Sequence, residues 1–221
     1  MPGRITALRM QQGRRNRVRV ILDGEVVFSL PRILAAELSV GQSLSEQEVA
    51  RLQERDAQEE AYQRGLRLLS RRPRSEQELR EYYSRQRTPD MIQETALSRL
   101  REAGLMDDAG FARFWVENRQ AFRPKSAAAL RAELRRKGVA PENVQTALAG
   151  LDEQGAAERA ARQGARRLRG ADREEFRRRL GSYLARRGFD YTIIRSVVEQ
   201  MWTEMSGPDA ESEDVPWKHR L

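Results

Sequence analysis

Arginine is the residue type through which this chain can act on anything else. Lys+Arg number 41 against 33 Asp+Glu, a formal charge of +8, and only Lys125, Lys137 and Lys218 are lysines. A guanidinium is a planar fork that grips a carboxylate or a phosphate through two atoms at once, which an ammonium cannot do. The cations gather in the second half of the chain. Arg119, Arg123 and Lys125 lead into Arg131, Arg135, Arg136 and Lys137, and a further cluster comprises Arg177, Arg178, Arg179, Arg186 and Arg187. Chemistry of this kind is recognition of an anionic surface, either an acidic protein or nucleic acid, and a pI near 10.5 does not choose between them. The bland account is that base composition supplies arginine for lysine and that the runs are solvated helix faces.

Catalytic chemistry is not legible. The chain has no cysteine, which excludes disulfides and thiolate metal sites. Its one histidine, His219, lies beside Trp217 and Lys218 near the end of the sequence. There is no glycine-rich phosphate loop with its lysine and no H-E-x-x-H helix. Asp107-Asp108 could begin a metal site, but no second carboxylate cluster stands at a supporting spacing. The expectation is a non-enzyme without metal or cofactor. Met1-Pro2-Gly3-Arg4 lacks an apolar signal core and no stretch approaches a membrane span, so a cytoplasmic monomer away from membranes is expected.

These cations need elements to position them. Hydrophobic residues reach 39%, aromatics only 6% and charged residues 33%, a mix that suits small helical modules with thin cores. Residues 1–44 predict a small β-rich unit. Ile5 to Met10 and Arg17 to Leu22 are apolar-rich runs, Asp23-Gly24 is a hairpin turn, and a short helix runs from Pro31 to Leu38 and closes at Gly41. Residues 45–56 predict a helical spacer, opened by a Ser45…Glu48 capping box and exposed to solvent.

An internal repeat of about 50 residues follows. Leu130, Leu134, Gly138 and Val139 lie over Leu180, Leu184, Gly188 and Phe189 at an offset of 50. At an offset of 51, Leu79, Tyr83, Leu97 and Leu100 lie over Leu130, Leu134, Leu148 and Leu151. Apolar spacings of three and four make helical stripes, Ser75 and Ser126 suit N-caps, Pro89 and Pro141 suit first turns, and Gly104, Gly138 and Gly188 suit left-handed C-caps. The fold class is therefore mainly α: three tandem three-helix modules, elongated and curved, over 57–106, 107–153 and 154–202, after the β unit and before a loose tail at 203–221. The first helix of the third module, rich in alanine and arginine, is expected to be the most weakly anchored.

At the first junction the sequence runs Leu100-Arg-Glu-Ala-Gly104-Leu105-Met106-Asp107-Asp108-Ala-Gly-Phe111-Ala112-Arg-Phe-Trp115-Val116-Glu-Asn-Arg119. This resembles the signature of the RecX family of recombinase regulators, and Arg72-Pro73-Arg74-Ser75, Arg123-Pro124-Lys125-Ser126, Lys137-Gly138-Val139 and Arg187-Gly188-Phe189 fit the same family in order. The likeness spans roughly residues 57–202. It implies binding along the groove of a RecA nucleoprotein filament and inhibition of its ATPase, strand-exchange and coprotease activities. It implies nothing for the β unit.

The signature also has a physical reading of its own. Gly104 ends a helix, Asp107 or Asp108 caps the next, and Phe111 and Trp115 share a face and should fill the junction between modules. Gly104, Leu105, Asp107, Asp108, Phe111, Ala112 and Trp115 are thus expected to be architectural. Arg119 is either an exposed binding group or the partner of an aspartate. The two arginine clusters, taken as equivalent places in adjacent repeats, predict a basic stripe facing a filament or its DNA. The competing reading is a stand-alone DNA-binding protein with helix-turn-helix-like modules. The third helices of the modules, beginning near Met91, Glu142 and Tyr191, carry little of the Arg/Lys/Asn density that base reading needs. Weak, sequence-independent binding to single- or double-stranded DNA fits both readings, and a structural adaptor is a third.

Overall fold

The computed structural model describes residues 3–11, 13 and 16–206; the expected tail beyond Ser206, with His219, lies outside the described residues. The chain divides into two compact units, the first ending at Asp107 and the second beginning at Asp108.

The first unit opens with an antiparallel sheet of strands β1 (Gly3–Met10), β2 (Arg17–Leu22), β3 (Glu25–Pro31) and β4 (Ser43–Leu44), in the order β3-β2-β1-β4. Asp23 (φ 48°) and Gly24 (φ 93°) supply the two left-handed residues that a tight hairpin between twisted strands requires. The helix expected over Pro31–Leu38 is a single turn, α1 (Arg32–Ala35), because Pro31 still belongs to β3. Strand β4 was not foreseen. Gly41 turns the chain so that its N–H donates to the Ile5 carbonyl at 2.8 Å, which returns the backbone to the free edge of β1.

Helix α2 (Glu46–Leu69) begins with the expected capping box at Ser45 and Glu48. Residues 45–56 are largely exposed, as expected, but they form the first half of this 24-residue helix and are packed on the β unit: Val49 and Leu52 are buried with Ile5, Val18, Val20, Leu22 and Leu30 beneath the sheet. Only two apolar residues three apart face the sheet, too few for the pattern to show in so charged a stretch. Arg17 fastens the contact by donating to both carboxylate oxygens of Asp56, at 2.9 and 2.6 Å. The second half of α2 is the first helix of a module completed by α3 (Glu76–Arg85) and α4 (Asp90–Glu102), with Ala61, Leu79, Tyr83, Ala96, Leu97 and Leu100 in its core. A Cβ at Gly65 would lie 2.6 Å from both Leu100 Cδ1 and the Tyr83 hydroxyl. That absent methyl lets Tyr83 reach across and donate to the Ala61 carbonyl at 2.8 Å.

The second unit holds two modules: α5 (Asp108–Phe122), α6 (Ala127–Arg136) and α7 (Pro141–Leu148), then α8 (Glu153–Ala165), α9 (Arg173–Ala185) and α10 (Tyr191–Ser206). Gly104, Gly138 and Gly188 end helices at φ of 67°, 73° and 82°, as the repeat predicts. Pro141 opens α7, whereas Pro89 stands one place earlier, at the N-cap of α4. Helix α10 continues four residues beyond the expected boundary at 202, to Ser206. Helix α8 buries Ala156, Ala157, Ala160, Ala161, Gly164 and Ala165, so its small residues make up the contact face. They bring its backbone close to Phe176, Leu180 and Val197. Close approach replaces bulk here.

The two modules of this unit meet at one tight place. The Ser126 N–H donates to the Arg187 carbonyl at 3.2 Å, and the Ala127 N–H donates to Glu153 Oε1 at 3.2 Å. A Cβ on Gly188 would stand 2.7 Å from Ser126 Oγ and 2.9 Å from Ala129 Cβ. Gly150 has a similar φ of 73° but open space around it. Gly150→Ala is therefore expected to cost only the left-handed backbone penalty, about 1 kcal/mol. Gly188→Ala adds overpacking of roughly 1–3 kcal/mol. Thermal unfolding followed by circular dichroism should show the larger fall in Tm for Gly188→Ala, and equal falls would mean that this contact is not tight.

Candidate functional site

Two residues of the signature, Trp115 and Arg119, converge on one carboxylate. Phe111 and Ala112 are buried in the core of the second module with Leu130, Leu134, Val139 and Val144. Phe111 therefore fills the module's own interior, and Trp115 packs on it with ring centroids 5.8 Å apart. One turn along α6, Glu133 Oε2 accepts from Trp115 Nε1 at 2.7 Å and from Arg119 Nε at 2.9 Å, and its other oxygen accepts from Lys125 Nζ. Arg119 and Lys137 flank the indole, 4.3 and 4.4 Å from its centroid. Arg119 thus has an internal acidic partner, a glutamate where an aspartate was considered, and Lys125 shares it. Burial pushes the Glu133 carboxyl up, but donors from Lys125, Arg119 and Trp115 outweigh it and hold the group below the usual carboxylate range.

Gly104 and Leu105 lie in the connection before α5, both exposed. Asp107 stands at the N-cap position and Asp108 is the first residue of α5, where acidic groups complement the helix dipole.

The arginine clusters are not alike. Arg123, Arg131, Arg135 and Arg136 are exposed, with no ion pair to any described residue. Arg131 and Arg135 stand one turn apart on α6 and, with Pro141, Val144 and Gln145 of α7, line a groove of about 260 Å³. In the third module Arg177 Nε meets Glu199 Oε1 at 2.9 Å and Arg179 meets Glu175 at 3.0 Å. Arg178 and Arg186 are exposed. Arg187 lies over the Tyr183 ring at 4.0 Å, beside the contact with Ser126.

The two clusters do not occupy equivalent places in their repeats. Aligned on Leu130/Leu180 and Gly138/Gly188, only Arg186 and Arg187 fall on Arg136 and Lys137, and Arg177–Arg179 fall on three alanines, Ala127–Ala129. Sequence reasoning also passed over Arg166, Arg167 and Arg169, which are exposed between α8 and α9. They occupy the same inter-helix connection as Arg123 and Lys125, and that position in the repeat was the available signal.

In the first module the equivalent arginines are neutralised. Arg80 binds Glu76 at 2.8 Å and also Glu94, and Arg85 binds Glu81 at 3.2 Å. Arg101 adds a second guanidinium to Glu76 at 2.8 Å. Hydrogen bonds from Arg101 and then Arg80 overcome burial and lower the Glu76 carboxyl to about 2.

These features define a protein class: tandem three-helix modules behind a small sheet, presenting basic surface and, among the described residues, no cluster of three or more potential metal ligands. Family models for RecX match in order, the first three-helix domain over residues 61–100, the second over 107–148 and the third over 152–198. The chain belongs to the RecX family of regulatory proteins. It is 38% identical over 153 residues to a regulatory protein RecX of Thermobifida fusca (strain YX), covering 66% of this chain and 83% of that one. The corresponding Mycobacterium marinum protein is 43% identical over 137 residues, covering 60% and 79%, and that of Streptomyces coelicolor is 39% identical over 160, covering 71% and 85%. A crystal structure of regulatory protein RecX superposes with a TM-score of 0.67 at 25% identity over 89% of this chain and 99% of that one. RecX from Lactobacillus salivarius shares the fold at a TM-score of 0.53, 19% identity, and 66% and 97% coverage.

The lowered carboxyls set an expectation for acid stability. A group whose folded pKa is depressed stabilises the fold at neutral pH, and that contribution disappears as pH falls through the folded value. For Glu76 the loss should run from about pH 4.5 down to about 2. Denaturant titrations across that range should show a shallower acid limb for Glu76→Gln than for the parent. An unchanged limb would mean that the Arg80–Arg101 cage is not formed in solution.

Proposed function

We propose that the chain is a cytoplasmic, non-enzymatic negative regulator of homologous recombination that binds the RecA nucleoprotein filament and restrains its ATPase, strand-exchange and coprotease activities. Membership of a family of regulatory proteins supports a partner protein as the target. The observation that carries the reading is the exposed arginine row of α6, where Arg131, Arg135 and Arg136 lack acidic partners among the described residues. Unpaired guanidiniums on a rigid helix keep their bidentate donors available for carboxylates or phosphates. Gripping them on a filament would resist the protomer movements that accompany turnover. Among the described residues no helix is long and apolar enough to cross a membrane.

Stand-alone sequence-specific DNA binding is the weaker reading. Helix α7 presents Glu142, Asn143 and Gln145 but no Arg or Lys, so it lacks the phosphate anchors of a recognition helix.

Titrating the protein into recombinase-dependent ATP hydrolysis on single-stranded DNA tests the proposal. Turnover should fall in proportion to the protein added, and undisturbed turnover at saturating protein would overturn it. Replacing Arg135 and Arg136 by glutamate should weaken inhibition by roughly tenfold or more with the circular dichroism spectrum unchanged. If inhibition persists in that variant, this pair is only a solvated face.

A further inference from the structure

The first and second modules carry arginines at the same places and treat them differently. At an offset of 51, Arg80 corresponds to Arg131 and Arg85 to Arg136. In the first module both are held by carboxylates of their own module: Glu76 and Glu94 on Arg80, and Glu81 on Arg85. The positions of those acids in the second module are Ala127, Gln145 and Ala132. All three neutralising residues have gone while both guanidiniums stay, and Arg135 joins them where the first module has Ser84. The two modules share a backbone plan, so the first shows what ligand this arrangement of guanidiniums accepts. That ligand is a carboxylate, approaching from the second helix on one side and the third helix on the other.

The surroundings favour a protein as its source over nucleic acid. The groove beside Arg131 and Arg135 has the exposed ring of Pro141 as its apolar surface, with Val144 buried behind it, Gln145 at its edge and no aromatic ring to stack a base. An apolar side chain flanked by acids suits the Pro141 surface and the guanidiniums beside it. Arg131 and Arg135, one turn apart, match two carboxylates one turn apart on a partner helix.

We infer that the α6–α7 face of the second module is a docking site for an acidic, amphipathic segment of the partner protein, taking carboxylates on Arg131, Arg135 and Arg136 and an apolar side chain against Pro141. This rests on the regulatory reading above and names the kind of surface which that reading leaves open. The first module's face, already neutralised by its own acids, is not part of the site.

The first module also supplies the test. Ala132→Glu and Gln145→Glu together install the counterparts of Glu81 and Glu94 at two exposed positions, giving Arg136 and Arg131 internal partners. In the recombinase ATP-hydrolysis assay the doubly substituted chain should need roughly tenfold more protein for half-inhibition. It should bind a labelled oligo-dT as the parent does, measured by fluorescence anisotropy without recombinase, and keep the parental circular dichroism. Half-inhibition within about twofold of the parent would overturn the proposal. So would a loss of oligo-dT binding that parallels the loss of inhibition, because phosphate would then be the ligand. If the parent itself does not inhibit, the regulatory reading has failed, and a second arm decides the face alone. A labelled helical peptide with glutamate pairs four apart around a leucine is titrated against parent and variant. Weaker binding to the variant supports the site, and equal binding overturns it.

Discussion

A bundle of three short helices buries only a thin core, and what this chain does elsewhere depends on how closely those helices approach. The approach is set by missing side chains. Gly65 brings α2 against Tyr83 and Leu100, the alanines and Gly164 of α8 let that helix settle on Leu180 and Tyr183, and Gly188 admits Ser126 between modules. Each contact sets a small residue on one helix against large buried side chains on another, and dispersion across these short contacts adds to the thin cores. Burying an unpaired guanidinium is costly, so most of the arginines stay at the surface, where a nearby acid decides whether they remain available.

The distribution of acids therefore carries much of the functional content. In the first module Glu76, Glu81 and Glu94 pair off Arg80 and Arg85. In the second, Glu133 faces inward and gathers Trp115, Arg119 and Lys125, leaving the outward row on α6 uncompensated. One glutamate thus gathers Trp115 and Arg119 of the signature, while Arg131 and Arg135 on the far side of the same helix stay without an acidic partner among the described residues. In the third module Glu199 and Glu175 take back Arg177 and Arg179. Exposed pairs of that kind add little stability, and their larger effect is on which cations a partner would meet.

The repeat, its caps and its glycines were legible because each has a strong local signature: a serine before a helix, a glycine at positive φ, leucines three and four apart. The hairpin at Asp23-Gly24 was legible for the same reason. Strand β4 was not, since two residues pairing with β1 through a turn at Gly41 leave no periodic trace. The burial of Val49 and Leu52 was hidden among charges, because two apolar residues suffice when the facing surface is a sheet. At the site, the arginines could be counted from the sequence, but their availability could not. Whether Arg119 is free depends on Glu133, fourteen positions away on another helix, and whether Arg177 is free depends on Glu199. Such pairings are set by tertiary geometry, which spacing along the chain does not encode.

Helix α2 runs about 36 Å, with Val49 and Leu52 seated under the sheet at one end and Ala61 and Gly65 inside the first bundle at the other. No joint interrupts it. The sheet and the bundle are therefore mounted on a single shaft, and a push on either is delivered to the other as torque, with no swivel to absorb it.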